Sequence, residues 1–132
     1  MKKTIIILAL MLGNILTGWC DSSLNILPAP QKIVMGEGTF VVKKGLAIVS
    51  TDANDFSANF LQDKLEEVFD FPISLTRQSV NENFIRFETD KSLPEEGYRL
   101  NVTAKGITIA SADAAGKYYG VQTLLQLFPT EV

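Results

Sequence analysis

The 132 residues contain no histidine. That removes the side chain that titrates between about pH 5 and 8, the commonest metal ligand, and every Ser-His or Cys-His nucleophile pair. Cysteine occurs once, at Cys20, so no intrachain disulfide can form. Positive charge is scarce: 12 Lys and Arg stand against 15 Asp and Glu. Two of the twelve are Lys2 and Lys3, so Asp21–Val132 carries 10 basic and 15 acidic residues, a net charge of −5. A chain without a basic patch is not expected to bind nucleic acid. The acidic residues lack calcium-loop spacing, and "GEG" and "GKYYG" depart from phosphate-binding glycine loops. No metal or other cofactor is expected.

The only long apolar run is at the start. Met1-Lys2-Lys3 is basic, "TIIILALML" is uncharged, and small residues follow near "ILTGWC". A positive start, a short apolar stretch and a small-residue cleavage region read as an export signal over residues 1–20. The alternatives are a short N-terminal anchor or a buried core helix. The run is shorter than the roughly 20 apolar residues that span a bilayer. Cys20 sits where bacterial lipoproteins carry their lipid. Leu16, Thr17 and Gly18 fit that pattern, whereas Trp19 stands where a small residue is usual. Cys20 is therefore a lipidation site, giving membrane attachment, or else it is lost with the signal or remains as a spare thiol. Export places the chain in a bacterial periplasm or at the outer membrane.

The remaining 112 residues suffice for one small domain. "LNILPAPQ" is held extended by Pro28 and Pro30. "KIVMGEGTFVV" reads as two short strands about a turn at Gly36-Glu37-Gly38, and "LAIVS" as a third strand. Asp52 is placed as a helix N-cap with Asp55 three residues on. Phe56, Phe60, Leu61, Leu65, Val68 and Phe69 then recur at helical spacing as the apolar face, and Pro72 ends the helix. "ISLTRQ" and "NFIRFETD" alternate as strands, with Ile85 and Phe87 opposite Phe84, Arg86 and Glu88. "YRLNVTAKGITIAS" reads as a hairpin. Asp113 caps a last helix in which Gly116 and Gly120 form a small-residue strip that admits a close neighbour. The expected order is β-β-β-α-β-β-β-β-α. The fold class is α+β, a mostly antiparallel sheet with two helices on one face.

Candidates for chemistry are few. Glu66-Glu67 falls on the polar face of the first helix and Glu95-Glu96 in a loop, both read as solvated charge. Arg77, Arg86 and Arg99 are candidate anion or sugar contacts, set against a plainer reading as exposed strand residues or partners of the first helix. No catalytic residue is assigned. The last helix is apolar nearly all round, which demands neighbours on more than one side. Tyr118, Tyr119, Gln122, Gln126 and Leu127 are the candidate face toward a further domain.

"ILPAPQKIVMGEGTF", "EEGYRLNVTAKGITIASADAAGKYYGVQTLLQLFP" and the helix between them resemble the N-terminal domain of family 20 glycoside hydrolases, the β-N-acetylhexosaminidases. The likeness covers Leu24 to Thr130. Its most specific part is Gly97-Tyr98-Arg99-Leu100, then Ala115-Gly116, Tyr119-Gly120 and Gln122-Thr123-Leu124-Leu125-Gln126-Leu127. A domain of the related family 84 is the neighbouring alternative. The resemblance implies a non-catalytic domain, residues 21–132, that packs against a (β/α)8 barrel following in cis. It implies a substrate-assisted mechanism in that barrel, with an adjacent Asp-Glu pair. This sequence contains no Asp-Glu dipeptide, so the chain is expected to be inactive alone and to meet glycan substrate only as part of a longer enzyme. A free-standing envelope protein that binds glycan or protein through the last helix is the alternative.

Overall fold

The computed structural model describes residues 24–128. The export-signal residues, Trp19 and Cys20 lie outside the described residues. The elements are β1 (Ala47–Val49), α1 (Phe56–Phe69), β2 (Ser74–Thr76), β3 (Phe84–Thr89), β4 (Tyr98–Val102), β5 (Gly106–Ser111) and α2 (Ala114–Leu127).

The five strands form one sheet in the order β2-β1-β3-β5-β4. β1 pairs in parallel with both β2 and β3, and β3 pairs in parallel with β5. Only the β4–β5 hairpin is antiparallel. The α+β class holds, but the mostly antiparallel sheet does not. The expectation followed the hairpin, which is local; parallel pairings join distant segments and leave no turn signal between partners. Their trace is in composition: β1 is buried at all three residues and β5 at five of six, as strands covered on both faces require.

The two strands expected about Gly36-Glu37-Gly38 are absent among the described residues. That segment is irregular, with Ile33, Val34 and Met35 exposed and only Phe40 and Val42 packed against the core. Strand propensity expresses itself where a ladder partner is available, and Lys32–Val42 has none.

Alternation along the strands directs Ile48, Ile85, Phe87, Ile107 and Ile109 to one face. They meet Ala58, Leu61 and Leu65 of α1 and Val121 and Leu124 of α2. Both helices cover this face and touch each other. They follow β1 and β5, which run the same way, and so lie parallel. Aromatic contacts mark both ends: Phe56 with Tyr118 near the start, Phe69 with Phe128 near the finish.

The N-cap of α1 is Asp55 and not Asp52. The Asp55 carboxylate accepts from the N–H groups of Ser57 and Ala58 at 3.0 and 3.2 Å. Asp52 sits one turn earlier, where its carbonyl accepts from Asp55 N at 3.3 Å. α1 ends at Phe69, and Asp70 turns the chain in the left-handed region before Pro72. Asp113 caps α2 as expected, accepting from Gly116 N at 2.8 Å. It also accepts from Glu96 N at 2.8 Å, which ties the loop before β4 to the helix.

The expected close approach at Gly116 and Gly120 is to the hairpin. A Cβ on Gly116 would lie 2.3 Å from the carbonyl oxygen of Gly97, and one on Gly120 would lie 2.6 Å from Ile109 Cγ2. Below them Tyr98 Oη and Thr123 Oγ1 share a hydrogen bond of 2.5 Å. Gly116→Ala should therefore lower the unfolding free energy by about 2–3 kcal/mol, because backbone cannot yield as a side chain does. Gly36→Ala, with nothing within 4 Å, should change it by less than about 0.5 kcal/mol. Urea denaturation of both variants checks the contrast.

Candidate functional site

The helix layer turns one side to the sheet and leaves an aromatic surface on the other. In α1 the buried positions are Ser57, Ala58, Leu61 and Leu65. Phe56 falls outside that stripe and is 70% exposed; Val68 is also exposed. This corrects the reading of Phe56 and Val68 as part of the core face: the stripe that meets the sheet is 58-61-65, and Phe56 and Phe60 run along its flank, four residues apart. Across from them stands Tyr118 of α2. Ring centroids are 6.1 Å apart for Phe56–Phe60, 5.9 Å for Phe56–Tyr118 and 5.7 Å for Phe60–Tyr118. Tyr119 adjoins Tyr118 at 6.4 Å and is 44% exposed. These separations are those of mutually attracting rings. Four aromatic side chains thus form one continuous surface over the α1–α2 seam, and a large exposed apolar surface marks a place of contact.

Of the candidate face residues, Tyr118 and Tyr119 belong to this cluster. Gln122 and Leu127 are half-buried farther along α2. Gln126 has a different partner: its Oε1 accepts from Leu27 N at 2.8 Å and its Nε2 donates to Leu27 O at 2.9 Å. One amide side chain thereby holds the extended opening segment against α2. Sequence reasoning missed Phe56 as a member of the outward surface, whereas Phe60 does pack against the core as read and also touches Tyr118. The available signal was that Ala58, Leu61 and Leu65 already complete a sheet-facing stripe.

The cluster is positioned by an ion pair beneath it. Lys117, next to Tyr118, donates from Nζ to Asp55 Oδ2 at 2.6 Å; Ser50 Oγ donates to the same oxygen at 2.9 Å. Asp55 is buried. Burial opposes its charge, yet the hydrogen bonds from Lys117 and Ser50, the Lys117 charge and the Ala58 N–H together hold its pKa below the ordinary 3.8. A cation in the first turn of α2 faces the positive end of that helix; the Asp55 carboxylate offsets this.

The acidic pairs have structural places. Glu66 accepts from Ile73 N at 2.7 Å, and Glu67 pairs with Lys64 at 2.8 Å. Glu95 and Glu96 lie in the exposed loop before β4. Arg99 pairs with Asp90 at 3.2 Å. Arg86 and Arg77 line one cleft at the carboxyl ends of β1 and β3, and neither reaches α1. Among the described residues no group of three His, Cys, Asp or Glu could hold a metal ion, and no helix is long and apolar enough to cross a membrane.

Comparison with known proteins gives one direction throughout. Residues 23–132 match the sequence profile of Glycosyl hydrolase family 20, domain 2. A beta-hexosaminidase of Porphyromonas gingivalis is 35% identical over 116 residues, covering 85% of this chain and 15% of that protein. An N,N'-diacetylchitobiase of Vibrio harveyi is 30% identical over 118 residues, covering 84% of this chain and 12% of that protein. The crystal structure of a beta-N-acetylhexosaminidase from Bacteroides fragilis superposes with a TM-score of 0.69 at 29% identity, covering 81% of this chain and 21% of that one. The chain therefore spans 12–15% of the length of these two sequence relatives.

The Asp55 pair predicts a pH signature. A carboxylate whose pKa is lowered by folding stabilises the fold fully above its unfolded value, near 3.8. That contribution is lost as pH falls through the lower folded value. Wild type should be the more stable above pH 4, and its advantage over Asp55→Asn should shrink as pH falls below that window. Denaturant titrations at stepped pH measure the gap; a gap independent of pH would remove the assigned role.

Proposed function

The chain belongs to glycosyl hydrolase family 20, as its domain 2, and from that membership we propose that it is the N-terminal accessory domain of a β-N-acetylhexosaminidase. In this reading residues 1–20 direct export, residues 21–132 form the accessory domain, and a (β/α)8 catalytic barrel follows in cis. The domain supports the barrel. Hydrolysis of terminal N-acetylhexosamine belongs to the whole enzyme, whose glycan substrate binds at the barrel.

The observation that carries the proposal is the aromatic surface over the α1–α2 seam. Phe56 and Tyr119 are exposed, while Phe60, which packs against the core, and Tyr118 are half-buried, so the cluster reaches from the core edge to the surface. A second layer against this face would bury them, with Gln122 and Leu127 at its margin. Among the described residues the sheet's other face has no comparable aromatic cluster; there Phe84 lies over Gly106 and under the Arg86 guanidinium. The relatives, a beta-hexosaminidase and an N,N'-diacetylchitobiase, support the same assignment. Export suits an enzyme acting on glycans outside the cytoplasm, and a lipidated Cys20 would hold it at a bacterial membrane.

Two linked measurements test the proposal. The purified 132-residue chain should hydrolyse an aryl N-acetyl-β-glucosaminide no faster than the blank. Reading the source gene beyond the Val132 codon should reveal an open frame encoding a barrel with an Asp-Glu pair, and that longer product should be active. Turnover by the short chain would sink the accessory role. A stop codon directly after Val132 with no adjoining barrel gene would instead favour a free-standing protein that binds a partner through the aromatic face.

A further inference from the structure

Loop 77–83 connects β2 to β3, which flank β1 on opposite sides and run parallel to it. It must therefore cross the sheet. It does so on the face away from the helices, where Arg86 Nη2 donates to Val80 O at 2.7 Å and to Ser79 Oγ at 3.3 Å. Between this loop and the carboxyl ends of β1 and β3 lies a cleft of about 620 Å³. Arg77, Arg86, Ser79 and Thr51 line it, with Lys117 at its inner end.

Charge in the cleft is unbalanced. Lys117 is neutralised by Asp55. Arg77 makes no hydrogen bond or ion pair to the described residues. Arg86 uses one terminal nitrogen on Val80 and Ser79, while stacking 4.4 Å over Phe84. Its other terminal nitrogen and Nε carry donors without a partner among the described residues. Glu88 also lines the cleft but pairs with neither arginine. A guanidinium presents a planar fork of donors suited to two oxygens of one anion. Here one such fork is held rigid by stacking and by the loop backbone. A second stands free beside it, with the hydroxyls of Ser79 and Thr51 at hand. Crevices at the carboxyl ends of parallel strands are also where open sheets take ligands.

We propose that this cleft binds a small oxyanion, sulfate or phosphate, either free or as the ester of a sugar, with Arg77 and Arg86 as its ligands. The proposed ligands, Arg77 and Arg86, come from β3 and the loop before it and not from the aromatic surface, although the cleft reaches round the strand ends to Lys117; a titration therefore tests the site separately from the docking role. The cleft is open to solvent, which keeps the affinity modest, on the order of a few millimolar.

The test is a titration of the isotopically labelled chain, followed by amide and arginine Nε resonances at constant ionic strength set with chloride. Its arms are inorganic sulfate, inorganic phosphate and glucose 6-sulfate. Saturable shifts centred on residues 77–89, with Thr51 and Lys117 at the edges of the same cleft, are expected. Tighter binding of the ester identifies an esterified sugar as the ligand; equal binding identifies the free anion. Arg77→Gln should weaken binding about tenfold or more, the loss of hydrogen bonds to a charged group. Glu88→Gln, removing the one carboxylate in the cleft, should strengthen it a few-fold. Both side chains are exposed, so both variants should fold, as their spectra will report. No saturable shift in any arm, or unchanged binding in Arg77→Gln, overturns the proposal.

Discussion

The Asp55 carboxylate is bonded at once to three parts of the fold. It accepts from Ser50 just beyond β1, from the first turn of α1, and from Lys117 in the first turn of α2. A buried carboxylate left unpaired would cost several kcal/mol, so these bonds are held together or lost together. The pair spans 62 residues of sequence and fixes the two helix starts beside each other. Once that is set, the parallel course of α1 and α2 follows from the parallel course of β1 and β5. The second fixed distance is at Gly116 and Gly120, where α2 lies against the Gly97 backbone and the Ile109 side chain so closely that neither glycine could carry a Cβ without a shift.

From this arrangement comes the surface on which the functional reading rests. With Lys117 turned inward to Asp55, Tyr118 and Tyr119 are carried past the core, toward the α1 flank. There Tyr118 meets Phe56 and Phe60, with Tyr119 beside it. An aromatic group packed on one side and open on the other is suited to an interface, the role proposed for it. Membership of glycosyl hydrolase family 20 gives that surface a partner in the proposed account, a barrel in the same polypeptide. The opposite face of the sheet is built differently, from a crossing loop and two arginines, and is free for another task.

How much of this was legible in the sequence varied with the range of the contacts. The hairpin over 98–111, α1, α2 and the Asp113 cap are set by neighbours within a few residues, and their pattern showed them. The glycine strip was read as admitting a close neighbour, without saying whether strand or helix; the neighbour is the β4–β5 hairpin. Sheet order was not legible, because β5 slides between β3 and β4 and β1 between β2 and β3, and no local signal records such insertions. "KIVMGEGTFVV" carries strand-like residues without a ladder to join. Asp52 and Asp55 are equally good caps on paper; Ser50 and Lys117, one of them far along the chain, select Asp55. Tyr118 and Tyr119 were identified as face residues from the all-round apolarity of the last helix. Phe56, which meets Tyr118, was not, since an amphipathic pattern shows a stripe but not where its edge lies. Gln126 was placed on the same face, although its amide is occupied by Leu27.

The central claim is that the aromatic surface over the α1–α2 seam is covered by a following domain. Hydroxyl-radical footprinting measures it most directly, comparing the 132-residue chain with a longer polypeptide in which a family 20 catalytic barrel follows residue 132. The account predicts that Phe56, Tyr118 and Tyr119 are oxidised readily in the short chain and strongly protected in the long one, while Ile33, Val34 and Met35 react alike in both. Equal oxidation of the three aromatic residues in the two polypeptides would contradict it.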